Sequence, residues 1–181
     1  DTGDKILDDI AKDEATKAMN SYNTDKLDWS VNQIAEDGEG TPAWINGDNR
    51  FNDADKIARE RALDSVKTTR GKVLFQNAAD EANVRYGADW KNKVVSWHKA
   101  DQKANGYDAI KIYMQNREFG VVGDIISDMH GRGILSTAEA NKAQEINNVA
   151  SVTSGYDAQI AASGTAAEMM SARDSIKNET Q

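Results

Sequence analysis

The sequence contains no cysteine, one proline and only two histidines among its 181 residues. Without cysteine the chain has no disulfide, no thiolate nucleophile and no sulfur-ligated metal. The two histidines, His98 and His130, lie far apart in the chain, which does not indicate a histidine metal pair. Alanine, aspartate, asparagine, lysine and glutamate are abundant instead, and runs of β-branched residues are few. This composition predicts an all-α protein.

Basic clusters and long apolar runs are also missing. The chain has 22 basic and 30 acidic residues, for a net charge of -8. Because a nucleic-acid-binding surface needs concentrated positive charge, we predict no nucleic-acid partner. No apolar run approaches the roughly 18 residues of a transmembrane helix, so no membrane span is predicted. The hydrophobic content of 39% indicates a thin core, which favours an elongated shape.

Apolar residues recur at helical spacing through most of the chain and predict an elongated bundle of about seven helices built from helical hairpins. The predicted breaks fall at 21–23, 87, 105–106, 116–120, 131–133 and 153–155. The segment 37–51 holds three glycines and Pro42, and predicts one long ordered loop. Asn52 then starts a helix as its N-cap. We expect a single helical domain over 1–181, with an N-terminal hairpin at 1–36 and a C-terminal helical part at 52–181.

Residues 112–134 resemble one helical-hairpin repeat of the tetratricopeptide or pentatricopeptide kind. The resemblance covers a single repeat and implies a local pair of antiparallel helices. No fixed period runs through the chain, so the sequence does not predict a solenoid.

Two segments have the spacing of a calcium-binding loop. In the first, Asp128, Ser136 and Glu139 fall at ligand positions of an EF-hand template. However, Arg132 occupies another ligand position, where its positive charge would repel a cation. The preferred interpretation is a turn between two helices, in which Ser136 and Glu139 form a capping box.

In the second segment, Asn46, Asp48, Asn52 and Asp55 match ligand positions of the same template. The first position is Trp44, which offers no oxygen ligand. The alternative interpretation is a turn rich in asparagine and aspartate that leads into a helix. We predict no cofactor, and calcium is the one possibility that these two segments leave open.

The sequence contains no P-loop, nucleophile elbow or zinc-binding helix. We therefore predict a non-enzymatic structural or protein-interaction component of a larger assembly, such as a bacterial secretion or pilus apparatus or a phage particle. Candidate contact residues are Met169 and Met170 on an alanine-rich last helix, and Trp44. Partners would be another protein or a second copy of the chain.

Two other functions remain open, a calcium-modulated helical binding protein and a hydrolase with a carboxylate dyad. The chain starts at Asp1, as expected after removal of a leader or for an excised fragment. An extracytoplasmic or virion-associated location is favoured.

Overall fold

The computed structural model describes residues 2–162, which form five α-helices and no strand. The helices are α1 (Thr2–Val31), α2 (Ala43–Leu63), α3 (Thr69–Gln115), α4 (Phe119–Gly131) and α5 (Thr137–Ala162). The prediction of an all-α protein is confirmed. The chain divides into two compact units, Asp1–His98 and Lys99–Gln181, and the division falls within α3.

In the first unit α1, α2 and the start of α3 form a three-helix bundle. Glu14 in the first half of α1 accepts a hydrogen bond from Thr68 just beyond α2, whereas Gln33 just beyond α1 accepts one from Arg50 in the first half of α2. These contacts make α1 and α2 antiparallel. In the core, many alanine side chains pack against a few aromatic rings. Its buried members are Ala15, Ala18, Tyr22, Ala58, Ala62, Val66, Phe75, Ala79 and Ala82, with a second cluster of Ala43, Phe51 and Trp90.

In the second unit the end of α3 packs with α4 and α5 around an aliphatic core. Its buried members are Ile110, Val122, Ile126, Met129, Ile134, Leu135 and Ala140. The corner between α4 and α5 turns at Gly133, whose φ of 66° favours glycine. The backbone N–H and hydroxyl of Ser136 donate to the Glu139 carboxylate, and the Glu139 N–H donates back to Ser136. The predicted capping box is thus confirmed.

The prediction of about seven helices is wrong, and the first error is at residues 21–23. The expected break does not occur, because Tyr22 is fully buried in the core and holds this turn of α1 in place. Just after the expected break, Thr24 donates its hydroxyl proton to the Asn20 carbonyl one turn earlier in the same helix.

The predicted breaks at Gly87, Gly106 and Gly155 are also wrong, since α3 and α5 continue through them. Gly87 lies against the Phe51 ring, where a Cβ would be 3.6 Å from the nearest ring atom. Gly87 therefore lies inside α3 at a contact with α2, and it does not end the helix.

The long loop is shorter than predicted. It ends at Pro42, and residues 43–51 belong to α2. Asn52, predicted as an N-cap, therefore lies in the middle of this helix. Pro42 occupies the true N-cap position with φ near -62°, and the Asp37 carboxylate accepts hydrogen bonds from the backbone N–H groups of Glu39 and Thr41.

The single-domain arrangement stays a prediction. Across residues 2–162, no helix combines the length and apolarity that crossing a membrane requires.

Candidate functional site

The most unusual side chain of the first unit is Lys26, which is 1% exposed. Its position follows from the apolar stripe of α1, because it falls one turn after Tyr22 on the same face. The Lys26 ammonium lies 3.7 Å from the centroid of the Phe51 ring. The rings of Trp29 and Tyr86 are 5.6 and 5.7 Å away. Aromatic faces attract a cation at such distances, and this attraction offsets part of the cost of burying it.

Asp55 is the nearest anion, but two other groups occupy its oxygens. Lys26 Nζ lies 3.5 Å from Asp55 Oδ1. The hydroxyl of Tyr22 donates to this oxygen at 2.5 Å, and Nε of Arg59 donates to Oδ2 at 2.7 Å. The Lys26 amine makes no hydrogen bond with any of the described residues. Its charge is therefore only partly compensated.

The surroundings shift the acidity of two groups in this cluster. Burial raises the pKa of the Tyr22 hydroxyl, and the hydrogen bond to Asp55 raises it further. Burial lowers the pKa of Lys26, while the Asp55 carboxylate opposes that change. The hydroxyl thus stays a proton donor, and the lysine is held in a site that disfavours its charged form.

A cavity of about 100 Å³ adjoins this cluster, and we name it the inner pocket. It is lined by Lys26, Leu27, Trp29, Ser30, Phe51, Tyr86, Asp89 and Trp90. Leu27 and Asp89 are exposed and mark its mouth. A cleft of about 500 Å³ between α1 and α3 shares Leu27, Tyr86 and Asp89 with it. The inner pocket and this cleft are therefore neighbours.

A second depression, the α2–α3 groove, lies between the other pair of helices. It consists of two adjoining cavities of about 360 and 490 Å³ that share Asp48, Trp90 and Lys91. The side chains of Ile45, Val84 and Val95 line the groove and are 71%, 73% and 53% exposed. The groove therefore combines exposed apolar side chains with the polar side chains of Asp48, Asn52, Asn83 and Lys91.

Close helix packing shapes the floor of this groove. Gly47 of α2 faces α3, and a Cβ there would lie 3.4 Å from both Trp90 and Val94, in van der Waals contact. The Trp90 indole donates a hydrogen bond of 2.9 Å to the Gly47 carbonyl. At one end the half-buried Trp44 stacks on His98, with 4.9 Å between ring centroids.

The candidate calcium residues of the second segment do not form a loop, because all of them lie on α2. The side-chain amide of Asn46 donates a hydrogen bond to Asp37. The side chains of Asp48 and Asn52 line the α2–α3 groove. Asp55 is buried beside Lys26. Within residues 2–162 no three acidic or histidine side chains converge as metal ligands. Calcium binding stays a prediction without support from this geometry.

The residues of the first segment form the α4–α5 corner. Asp128 makes an ion pair of 3.2 Å with Arg132, and Ser136 is paired with Glu139 in the capping box. Glu139 also forms an ion pair with Lys103 of α3. The Lys103 ammonium, together with the Ser136 donors, lowers the pKa of Glu139 to about 2. These groups therefore stabilise the corner through contacts among themselves.

Sequence reasoning missed the Lys26 cluster because lysine and aspartate are expected on helix surfaces. A usable signal was present, however. Lys26 continues the heptad-like series of buried Ala11, Ala15, Ala18 and Tyr22 on α1.

Of the predicted contact residues, Trp44 lies in the groove, whereas Met169 and Met170 are outside residues 2–162.

Comparison with known proteins finds no significant similarity, whether to protein-family models, to curated proteins or to solved structures.

Proposed function

We propose that this chain is a non-enzymatic structural or protein-interaction component of a larger assembly, and that its α2–α3 groove receives an apolar helix of another protein chain. The observation that carries the proposal is that three exposed apolar side chains, Ile45, Val84 and Val95, line one groove together with the buried Trp90. Exposed apolar side chains that gather in a groove are typical of an interaction site.

The shape of the groove favours a helix as the occupant. Val84 and Val95 are separated by about 16 Å along α3, at 1.5 Å per residue, which matches three turns of a partner helix. An amphipathic helix anchors in such a groove with side chains spaced three or four residues apart. The half-buried Trp44 at one end supplies the kind of large ring that dominates interface energies.

Charge on the groove is mixed, which favours a partner helix with an apolar face over a strongly charged one. Asp48 and Lys91 lie on opposite helices and both contribute to the two cavities. A partner with one acidic and one basic flanking residue would be complementary to both. Such flanking pairs fix register and orientation more than they add affinity.

Site-specific photo-crosslinking tests this proposal. A photoreactive residue replaces Val95 in the groove, and a matched variant carries it at Ser96, which is exposed on the same helix but lines neither cavity of the groove. The first probe is a second copy of the full chain at increasing concentration, and the second is the native assembly. We expect a discrete cross-linked product from position 95, mapping to one apolar helix, and little product from position 96.

Val84→Asp serves as the competing variant, since it places a charge on the apolar wall without touching the core. It should abolish the product at position 95 and leave the unfolding midpoint within error. Equal cross-linking at 95 and 96, or a product that Val84→Asp does not reduce, would overturn the assignment of the groove.

A further inference from the structure

We infer that the chain bound at the α2–α3 groove is a second copy of this protein, held face to face about a twofold axis that runs along the groove. The inference rests on the proposed function, that the groove binds another protein chain, and it names that chain. In this arrangement α2 of each copy packs on α3 of the other. Twofold pairing is the commonest form of self-association, and every contact between two different residues is then made twice.

The first argument is the relative direction of the two helices. Gly47 of α2 lies against Trp90 of α3, and Gly87 of α3 lies against Phe51 of α2. The two helices are therefore antiparallel, and these contacts identify which positions lie opposite each other across the groove. A twofold axis along the groove exchanges its two walls. Each position on α2 then faces, in the other copy, the α3 position that lies opposite it in its own copy.

The second argument is charge complementarity. Asp48 and Lys91 are the next residues after Gly47 and Trp90, so they lie at nearly the same level on opposite walls, and both line the two cavities of the groove. Both side chains are exposed, and no ion pair of either one is found among residues 2–162. In the twofold pair the Asp48 carboxylate of each copy faces the Lys91 ammonium of the other. Opposite charges placed in this way fix the register of two surfaces.

The levels on either side of this charged level also match in kind. About one turn away, Ile45 of α2 lies level with Val95 of α3, and these side chains are 71% and 53% exposed. In the pair, Ile45 of each copy packs on Val95 of the other, which removes apolar surface from water. In the other direction Asn52 lies level with Ala88, and both are uncharged. None of these three levels places like charges, or a charge and an apolar side chain, against each other.

The third argument is that the groove is locally neutral. The whole chain has a net charge of -8, whereas the charged side chains that line the groove are Asp48 and Lys91, whose charges cancel. Repulsion between charges elsewhere on the two copies is screened over about 8 Å at physiological ionic strength. An unrelated helix would need one acidic and one basic residue at matching positions, while a second copy supplies both through its own groove.

The test is sedimentation equilibrium of the full chain and of two charge-reversed variants, Asp48→Lys and Lys91→Asp. The unaltered chain should approach twice the mass of one chain as its concentration rises. Each variant alone places like charges against each other at both symmetric contacts, so its self-association should weaken by roughly tenfold or more. An equimolar mixture of the two variants restores opposite charges at both contacts and should associate about as tightly as the unaltered chain. This recovery cannot arise within one chain, because each chain carries only one of the changes.

Asp53→Lys and Lys72→Asp are the matched controls. Both positions are exposed on the same two helices and line neither cavity of the groove. Mixing these two variants makes the same charge changes and should give no tighter association than either variant alone. An unaltered chain that stays monomeric would overturn the inference, and so would a mixture of Asp48→Lys and Lys91→Asp that associates no more tightly than the separate variants.

Cross-linking from position 95 separates a failure of this inference from a failure of the proposed function. If the purified chain is monomeric but position 95 still gives a product with a different protein of the native assembly, the second copy is wrong as the occupant and the groove is still an interface. If position 95 gives no product with either probe, both the inference and the proposed function are overturned.

Discussion

The two units of this chain are built around different interiors. Residues 1–98 combine alanines and aromatic rings with a buried ionic cluster that contains Lys26 and Asp55. Residues 99–162 enclose branched aliphatic side chains and methionine, and Asn147 is the one polar residue buried among them. The first interior includes groups whose charge must be compensated, while the second is held mainly by apolar packing.

The difference between the two interiors determines how each unit responds to substitution. Apolar cores of suitable volume tolerate repacking, because dispersion and burial are nondirectional. A buried ion pair tolerates little change, since removing one partner leaves the other charged and unpaired. The first unit should therefore be sensitive to single polar substitutions, and the second should respond in proportion to the volume removed.

The largest expected effect comes from breaking the ionic cluster with Asp55→Ala. In a buried site this change leaves the Tyr22 hydroxyl without its hydrogen-bond acceptor and the Lys26 ammonium without its ion-pair partner. We expect a loss of about 3–5 kcal/mol in the free energy of unfolding. Urea denaturation gives the total loss, and amide hydrogen exchange locates it within residues 1–98.

Asp53→Ala is the matched control, because Asp53 is exposed on the same helix. Its effect should stay within about 0.5 kcal/mol. Adding Lys26→Met to Asp55→Ala should restore part of the lost stability, since the unpaired charge is then gone. A double variant as unstable as the sum of the two single variants would refute the pairing of Lys26 with Asp55.

Ile126→Ala tests the aliphatic interior of the second unit. Ile126 is buried in the α4 face, and its truncation removes apolar contacts without leaving a polar group unpaired. We expect a loss of about 2–4 kcal/mol in the free energy of unfolding, measured by the same methods. Val121→Ala on the same helix removes a partly exposed side chain and should cost much less. Equal losses at the two positions would argue against the described core.

The same contrast explains what the sequence could predict. The capping box of Ser136 and Glu139 was predictable because it depends on four consecutive residues. The helical class and the apolar face of α4 followed from periodicity in the same way. Helix ends at Tyr22 and Gly87 were mispredicted, since contacts with residues distant in sequence override the local preference there. The Lys26 cluster joins α1, α2 and α3, and the α2–α3 groove joins two helices, so neither could be read from one segment.

A comparison of two glycine-to-alanine variants, one in each unit, should show a smaller change in stability. A Cβ on Gly71 would lie 2.6 Å from Thr68 Oγ1 and 2.9 Å from Glu14 Oε2, two groups that cap the start of α3. Gly71→Ala should therefore cost about 1 kcal/mol, the usual value of a lost helix cap.

Gly106→Ala is the counterpart in the second unit. Its Cβ would meet only the Met129 side chain, which is flexible and can rotate away. The gain in helix propensity, about 1 kcal/mol, should offset most of that rearrangement. Thermal unfolding of both variants tests the comparison, and a larger loss for Gly106→Ala would contradict the view that the second interior adapts more easily.

The smallest effect concerns the pH dependence of stability and the ion pair between Glu139 and Lys103 in the second unit. Lys103 and Ser136 lower the pKa of Glu139 from 4.5 to about 2 in the folded chain. Between pH 2 and pH 4.5 Glu139 is protonated in the unfolded chain and ionised in the folded chain. The contribution of Glu139 to stability is therefore full above pH 4.5 and is lost as the pH falls toward 2. Glu139→Gln should reduce the slope of stability against pH in this window, measured by urea denaturation at several pH values. Glu145→Gln, on the same helix and exposed, controls for the loss of one acidic residue; if both variants change the slope equally, the corner around Glu139 has no special role in acid stability.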